Sequence, residues 1–181
     1  MTWYEAYAFC IWDGGFLPSQ TEWEYAAAGG ALQREFPWGS TDPGTANQFA
    51  IYGDGHVDEC FFPGPGLQRC SVSSIAPVGS APLGAGLWGH LDLVGELAGW
   101  TADHADFSGR NGFVSPCVDC AKLTTSSALP LHVPASTTPY RLARGGYFYV
   151  TAPGLVVPLA SLATDPRQGF DSEGVRCART P

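Results

Sequence analysis

The residues of this chain best suited to chemistry are six cysteines, at positions 10, 60, 70, 117, 120 and 177. Cysteine sulfur forms disulfides, binds soft metals or cycles as a dithiol. Cys60 and Cys70 lie in a Gly/Pro/Ser-rich stretch, which indicates a disulfide that closes this loop. Cys117 and Cys120 form one C-x-x-C pair, which either closes a small ring or stays a dithiol. The nine residues between Cys60 and Cys70 fit no common zinc knuckle, so zinc is not expected.

The four histidines are not spaced like metal ligands. They lie at positions 56, 90, 104 and 132, and no two are separated by one or three residues. Two histidines that bind one metal from a single strand or helix need such a spacing. The pattern predicts that each is a surface or hydrogen-bonded residue.

Length and composition limit the classes of function. The chain has 181 residues, enough for a single domain over 1–181, and its 23 glycines and 15 prolines indicate a compact, loop-rich protein. A net charge of −8 with only nine Lys and Arg residues excludes a nucleic-acid binder and disfavours anionic membranes. No apolar run approaches the roughly 18 residues of a membrane-spanning helix, and no signal peptide is evident. Proteins, glycans, small molecules and metal ions remain as partners.

Two short helices are predicted, over residues 2–12 and 19–28. Thr2 and Glu5 form a capping box at the start of the first, and Ser19 and Glu22 form one at the start of the second. Glycine pairs follow both helices and end them. Short strand-like stretches are predicted at 88–100, 140–144, 147–150 and 174–178.

Six blocks of sequence, which together extend over nearly the whole chain, carry a resemblance to a known family. They are TWYEAYAFCIWDGGFLPSQTEWEYAAAGG, FPWGS, AN, APVGSAPLGAGLWGHLDLVGELAGWTAD, RLARGGYFYV and GVRCART. Their order and spacing resemble the formylglycine-generating enzyme (sulfatase-modifying factor) family. The resemblance implies an α+β fold of the C-type-lectin type, with two short helices on a small twisted antiparallel sheet and long irregular loops. It also implies that Trp23 and Tyr25, on the second helix, belong to the core.

Related domains carry further strands before the first of these blocks. The first block here begins at Thr2. We therefore expect a domain without those strands, which leaves sheet edges and apolar surface uncovered. Such a domain is expected to be marginally stable or to associate.

Enzymes of this family hold copper(I) with two cysteines that follow the Arg-Gly-Gly motif, and they oxidise a substrate cysteine to formylglycine. Copper(I) selects thiolates, one of which must exchange with the substrate thiol. After Arg144-Gly145-Gly146 the matching positions here are Val150 and Leu155, and neither forms a thiolate. We therefore expect no copper and no catalytic residue, and a domain that binds or displays a ligand.

The calcium sites implied by the resemblance are altered. The family's GN-x-WEW loop reads GELAGW here, so Glu96 replaces the asparagine and Gly99 replaces the glutamate. Asn47, Asp54 and Asp58 correspond to another family-like site. Because calcium needs six to eight oxygen ligands in a set geometry, two interpretations stay open: a bound calcium ion, or solvated loop carboxylates.

The resemblance further implies a disulfide between Cys10 and Cys177. A free Cys10 packed on an apolar helix is the alternative. With the loop cysteines, the bridge indicates an oxidising compartment, so the protein is expected to be extracytoplasmic or secreted.

Some proteins with this fold are variable proteins of diversity-generating retroelements, and the stretch after Arg-Gly-Gly carries their ligand-contacting residues. The candidates on such a surface here are Tyr147, Tyr149, Thr151, Asp165, Arg167, Gln168, Asp171 and Glu173. The expected ligand is a protein, a glycan or a small molecule. For each residue a solvated loop is the alternative.

Two other functions stay open. The first is an oxidoreductase that uses the remaining cysteines, above all Cys117 and Cys120, with copper or as a dithiol. The iron-dependent sulfoxide synthases related to the family place their histidine ligands in a separate helical domain, which this chain does not contain. The second is a decayed paralogue, because the changes from the family's pattern fit relaxed constraint; they lie at Val150, Leu155, Gly99 and Val175.

Overall fold

A computed structural model describes residues 1–53, 59–64, 67–68, 70–105, 116, 120–123 and 140–180. Its helices and strands are α1 (Trp3–Trp12), α2 (Gln20–Ala28), β1 (Glu59–Cys60), β2 (Leu67–Gln68), β3 (Ala98–His104), β4 (Arg141–Arg144), β5 (Ser161–Thr164) and β6 (Glu173–Gly174). Strands β1 and β2 pair antiparallel, and the other four form a curled sheet with the order β5-β4-β3-β6. The fold class is α+β, as the sequence predicts.

The described chain forms two compact units, each built from separate stretches of sequence. Unit 1 comprises Met1–Trp23, Gly99–Ala143 and Leu162–Pro181, and unit 2 comprises Glu24–Ala98 and Arg144–Ser161. None of the helices among the described residues is long and apolar enough to cross a bilayer.

Both predicted capping boxes are present. The Glu5 backbone N–H donates to Thr2 Oγ1 (3.2 Å), and Thr2 N donates to the Glu5 carboxylate (2.7 Å). At α2, Glu22 N donates to Ser19 Oγ (3.1 Å) and Ser19 N donates to the Glu22 carboxylate (2.6 Å). Each box satisfies backbone donors that the first turn of a helix leaves free. The N-termini of both helices can therefore be predicted from the sequence.

Unit 1 packs α1 against β3 and β4. The Trp3 indole N–H donates to Thr101 O (2.7 Å), and the guanidinium of Arg141 lies 3.9 Å from the centre of the Trp3 ring. Thr101 Oγ1 donates in turn to Leu142 O (3.0 Å). The buried Asp103 accepts from the backbone N–H groups of Gln20 and Lys122, both at 2.7 Å. A carboxylate 83 residues away along the chain thus fixes the first turn of α2, which no local pattern indicates.

Unit 2 has its own apolar core. The buried members of this core are Ile51, Cys60, Ala76, Ala81 and Phe148. Phe148 belongs to the stretch after Arg-Gly-Gly, so this stretch is anchored in the core and is not a free surface loop.

Two predicted disulfides are confirmed, Cys10–Cys177 in unit 1 and Cys60–Cys70 in unit 2. Cys120 is disulfide-bonded as well, whereas Cys117 lies outside the described residues. Disulfides of this kind persist in oxidising environments.

Some predictions at the level of elements are wrong. The stretch 147–150 is a turn, not a strand, because Gly145 and Gly146 both have positive φ (106° and 66°) and redirect the chain. Of the two aromatic residues predicted in the core, Trp23 is buried, but Tyr25 is 61% exposed and stacks on Trp88 with ring centres 5.2 Å apart.

Candidate functional site

The candidate site is the Arg-Gly-Gly loop, here residues 144–155. Gly145 N donates to Ala160 O (2.9 Å), and Gly145 O accepts from Gly95 N (2.7 Å). Phe148 N donates to Glu96 O (2.9 Å) and Gly53 N donates to Val150 O (2.9 Å). The loop is therefore held by backbone hydrogen bonds to several parts of unit 2 and has a fixed course.

Val150 and Leu155, the positions that the resemblance matches to the enzymes' two cysteines, both approach Gly146. A Cβ built on Gly146 would lie 3.2 Å from Val150 Cγ2 and 3.5 Å from Leu155 Cδ2, and 2.9 Å from Gly154 O. Leu155 is fully buried. Both side chains thus approach Gly146, and both present carbon there. Copper(I) needs sulfur donors, so the residues present do not fit this metal.

The described cysteines supply no thiol to this loop. Cys60 Sγ lies 3.3 Å from Phe148 O, and Cys60 is bonded to Cys70. No cysteine among the described residues is free. Cys60, which contacts the loop, is therefore part of a disulfide and offers no free thiol.

Two tyrosines of the loop form an aromatic pair. The ring centres of Tyr147 and Tyr149 lie 4.4 Å apart at 61°, and both side chains are half-buried. Burial raises the pKa of Tyr147, and Tyr149 adds to this shift. Thr151, which follows the pair, is exposed. The pair is held by its own ring contact, so it offers an ordered amphipathic surface.

The other five candidate binding residues belong to unit 1. Asp165 and Arg167 form an ion pair with each other (2.6 Å), and hydrogen bonds from Arg167 lower the pKa of Asp165 to about 2. Gln168 and Asp171 are exposed. Glu173 is buried, and burial raises its pKa. Its carboxylate is therefore not available on the surface, in contrast to what the sequence suggests.

A buried ion pair supports the start of the loop. Arg144, whose side chain is fully buried, contacts the Glu24 carboxylate of α2 and donates to Val157 O (3.1 Å). Burial raises the pKa of Glu24, and the charge of Arg144 opposes this shift. The pair joins the end of β4 to α2 immediately before the two glycines.

Asn47 has one feature of a calcium ligand. Its φ is 56°, its Nδ2 donates to Phe61 O (2.6 Å), and its buried Oδ1 accepts no hydrogen bond. An amide oxygen in this state suits a calcium ion, which binds oxygen ligands only. Asp54 and Asp58, the other members of this predicted site, lie outside the described residues.

Glu96, the other predicted calcium ligand among the described residues, is a buried carboxyl group. It adopts positive φ (59°), is 8% exposed, and neither carboxylate oxygen has a hydrogen bond of normal geometry. Burial raises its pKa to about 7; the Ala76 N–H opposes the shift and Asp92 adds to it. Among the described residues, no three His, Cys, Asp or Glu side chains group around a common point. Glu96 is thus a buried carboxyl group whose pKa lies close to neutral pH.

Replacing Glu96 by glutamine is expected to stabilise the protein at pH 8. The folded-state pKa is raised from 4.5 to about 7, so the stability this group contributes is complete below pH 4.5 and is lost as the pH rises through 7. At about 1.4 kcal/mol per pKa unit the upper bound is about 3 kcal/mol, and we expect about 1–2 kcal/mol because the amide keeps a desolvation cost.

Urea unfolding in EDTA, at pH 5 and pH 8, measures this effect. The exposed Glu35→Gln is the matched control and should change little at either pH. A glutamine variant that is less stable than wild type at pH 8 would contradict the description of Glu96 as an uncompensated acid. Stabilisation of wild type by added calcium, lost on Glu96→Gln, would instead assign it to a metal.

The fold and the site define an α+β domain of the C-type-lectin type. Its Arg-Gly-Gly loop carries the aliphatic residues Val150 and Leu155 beside Gly146. The chain belongs to the sulfatase-modifying factor family: the profile of the Sulfatase-modifying factor enzyme 1-like domain matches residues 1–181.

Three relatives illustrate the range of this family. Formylglycine-generating enzyme of Mus musculus is 34% identical over 103 residues, 57% of this chain and 26% of that protein. Hercynine oxygenase of Mycolicibacterium smegmatis is 30% identical over 181 residues, 98% of this chain and 36% of that protein. Inactive C-alpha-formylglycine-generating enzyme 2 of Bos taurus is 32% identical over 103 residues, 56% of this chain and 31% of that protein. The chain thus spans roughly a quarter to a third of these relatives.

A solved structure, Treponema denticola variable protein 1, covers 88% of this chain with 22% sequence identity and a TM-score of 0.47; the match covers 45% of that chain.

Proposed function

We propose that this chain is a non-catalytic formylglycine-generating-enzyme-like domain that acts as a binding module. One observation carries the proposal: Val150 Cγ2 and Leu155 Cδ2 fill the space beside Gly146 at the two positions where the family's enzymes need sulfur. Aliphatic carbon neither binds copper(I) nor exchanges with a substrate thiol. The fold keeps the loop and lacks the groups that perform the oxidation.

The binding surface we propose is the Tyr147–Tyr149 pair with Thr151. Tyrosine supplies a rigid apolar ring and a polar hydroxyl at low conformational cost, which suits both protein and glycan ligands. The loop that carries the pair is anchored by Phe148 in the core of unit 2. Ligand contact therefore requires little ordering of the loop, and this lowers the cost of binding.

The disulfides support a location outside the cytoplasm. We propose that the domain works in an extracytoplasmic or secreted protein, with the net charge of −8 disfavouring anionic ligands.

The proposal is tested first as an absence of catalysis. The purified chain, with mouse formylglycine-generating enzyme as positive control, is incubated with copper(I) and a peptide containing the sulfatase motif Cys-x-Pro-x-Arg. We expect no stoichiometric copper(I) binding against a chelator and no formylglycine by mass spectrometry. Turnover above the metal-only blank would overturn the proposal and would favour an oxidoreductase that uses other cysteines.

The same protein is then tested for binding on a glycan array and with a phage-displayed peptide library. We expect an enriched ligand whose affinity falls by roughly tenfold or more in Tyr147→Ala/Tyr149→Ala, the loss of a central aromatic contact. Val78→Ser, at an exposed apolar position of the same unit, is the control and should bind as wild type does. A folded protein that enriches no ligand, or one that binds unchanged after both tyrosines are removed, contradicts the binding surface.

A further inference from the structure

Two aromatic side chains form a stacked pair on the surface of unit 2. Tyr25, in α2, and Trp88, in the turn 86–90, lie with their ring centres 5.2 Å apart and their planes 15° from parallel. Tyr25 is 61% exposed and Trp88 is 49% exposed. Because tryptophan is highly buried on average in folded proteins, an exposed indole that is stacked on a second ring marks a candidate binding surface.

The backbone on both sides of this pair, the Tyr25–Trp88 platform, is fixed. Two backbone hydrogen bonds, of 2.8 and 2.9 Å, close the turn 86–90 that carries Trp88. A Cβ built on Gly30 would lie only 3.0 Å from Tyr25 Cζ, so the phenol ring packs directly on the backbone that follows α2. A ligand that stacks on rings held in this way has little to order when it binds.

The size of the platform favours a small ligand over a protein. Since an aromatic side chain carries roughly 150–250 Å², the exposed parts of the two rings add up to roughly 150–300 Å². A specific protein interface needs about 800 Å² on each partner, which is more than twice this area. A pyranose, in contrast, is a six-membered ring of about the same width as the rings of the platform.

Neutral polar groups lie beside the platform. The Tyr25 hydroxyl oxygen would lie 3.1 Å from a Cβ on Gly30, and the side-chain amide of Gln33 donates to Gly30 O (2.9 Å). Both groups are therefore close to Gly30 and to one edge of the platform. Gln33 holds this position with a φ of 48°, which is uncommon for a residue other than glycine. Hydroxyl and amide groups both donate and accept hydrogen bonds, as the hydroxyl groups of a sugar do.

We propose that the Tyr25–Trp88 platform binds a neutral carbohydrate, with one pyranose ring stacked on the indole of Trp88. One face of a pyranose such as β-galactose presents several C–H groups, whose weak positive charge is attracted to the negative face of an aromatic ring. The net charge of −8 disfavours acidic sugars. The site shares no residue with the Tyr147–Tyr149 surface, and its binding does not depend on that surface.

A glycan array tests the proposal with the intact, disulfide-bonded protein. The protein is displayed on streptavidin tetramers, because a platform of this size binds one sugar weakly and multivalency raises the avidity. We expect wild type to bind neutral glycans and Trp88→Ala to lose roughly tenfold or more of this binding. Trp88→Tyr keeps a ring that can stack and should recover part of the binding. Trp12→Ala removes an indole that is 80% exposed in unit 1 and should bind as wild type does.

Saturation-transfer NMR with the glycan that binds most strongly on the array shows how the sugar is held. The C–H protons of one pyranose face should receive most of the saturation in wild type and little in Trp88→Ala. A wild type that binds no glycan, or a folded Trp88→Ala that binds the same glycans as strongly, would overturn the proposal. Glycan binding that is lost only in Tyr147→Ala/Tyr149→Ala would overturn it too, and would support the surface proposed above. Basic peptides that bind through Trp88 in place of any glycan would make the platform a cation site and would likewise overturn it.

Discussion

Removing the Cys10–Cys177 disulfide, as Cys10→Ala/Cys177→Ala, is expected to lower the free energy of unfolding by about 5 kcal/mol. The two residues are 167 positions apart, so the bond restricts nearly the whole unfolded chain. Cys10 is fully buried on the inner side of α1. Alanine at both positions leaves no unpaired thiol, and the loss therefore reports the cross-link together with a small loss of packing.

The C-terminal segment has a second attachment near this bond. Phe16 and Ala178 exchange two backbone hydrogen bonds (2.9 and 2.8 Å), and a Cβ on Gly15 would lie 2.5 Å from Ala178 O. The variant is therefore expected to fold, with its C-terminal segment still paired at low urea. In this state it should unfold at a much lower urea concentration than wild type.

Cys60→Ala/Cys70→Ala is the matched control for the disulfide prediction. Its bond closes a separation of only 10 residues, for which the same chain-entropy relation gives about 3 kcal/mol. Urea denaturation followed by far-UV circular dichroism gives both values. Equal losses in the two variants, or a larger loss for the short loop, would show that native-state packing and not chain restriction sets the stability.

The two helices are predictable from sequence because their start signals are local. Each capping box joins residues three apart, so its hydrogen bonds form from neighbouring residues alone. Which side of α2 is buried cannot be predicted in the same way. Trp23 and Tyr25 are two positions apart, and their burial depends on where distant segments pack; Tyr25 therefore ends up outside, on Trp88. Likewise, nothing near α2 indicates that Asp103 fixes its first turn.

Short strands are the least predictable part of this fold. Strands β1, β2, β5 and β6 have two to four residues, which is too short for a pattern of alternation to stand out. Conversely, the aromatic stretch 147–150 has strand-like composition, but two glycines with positive φ precede it. The tertiary hydrogen bonds of that loop outweigh the local preference.

The sequence predicts which residues occupy the candidate site, but it does not predict how they are arranged in space. The aliphatic residues at Val150 and Leu155 are visible in sequence, whereas their approach to Gly146 follows from how the loop folds back. The burial of Glu173 and the ion pair of Arg167 with Asp165 depend on tertiary contacts, which one sequence does not contain. Sequence reasoning also missed the support that Arg144 receives from Glu24.

Replacing Arg144 by alanine is expected to lower the free energy of unfolding by about 3–5 kcal/mol. The side chain of Arg144 is fully buried and that of Glu24 is 20% exposed. Removal of the guanidinium leaves the carboxylate with a desolvation cost that no charge offsets, and it deprives Val157 O of a donor. Because Arg144 directly precedes the two glycines, the Arg-Gly-Gly loop should also lose protection in hydrogen exchange.

A double variant that removes both charges distinguishes the stranded carboxylate from the other contacts of Arg144. Burial raises the pKa of Glu24 despite the nearby guanidinium, which means that the pair is held at a desolvation cost. Glu24→Leu/Arg144→Met removes both charges at similar volume and is therefore expected to recover most of the stability lost in Arg144→Ala. Arg167→Ala, which breaks the exposed pair with Asp165, is the control and should change the stability little. If the double variant is as unstable as Arg144→Ala, the contribution of Arg144 lies in its packing and its bond to Val157, and the stranded carboxylate is not the cause.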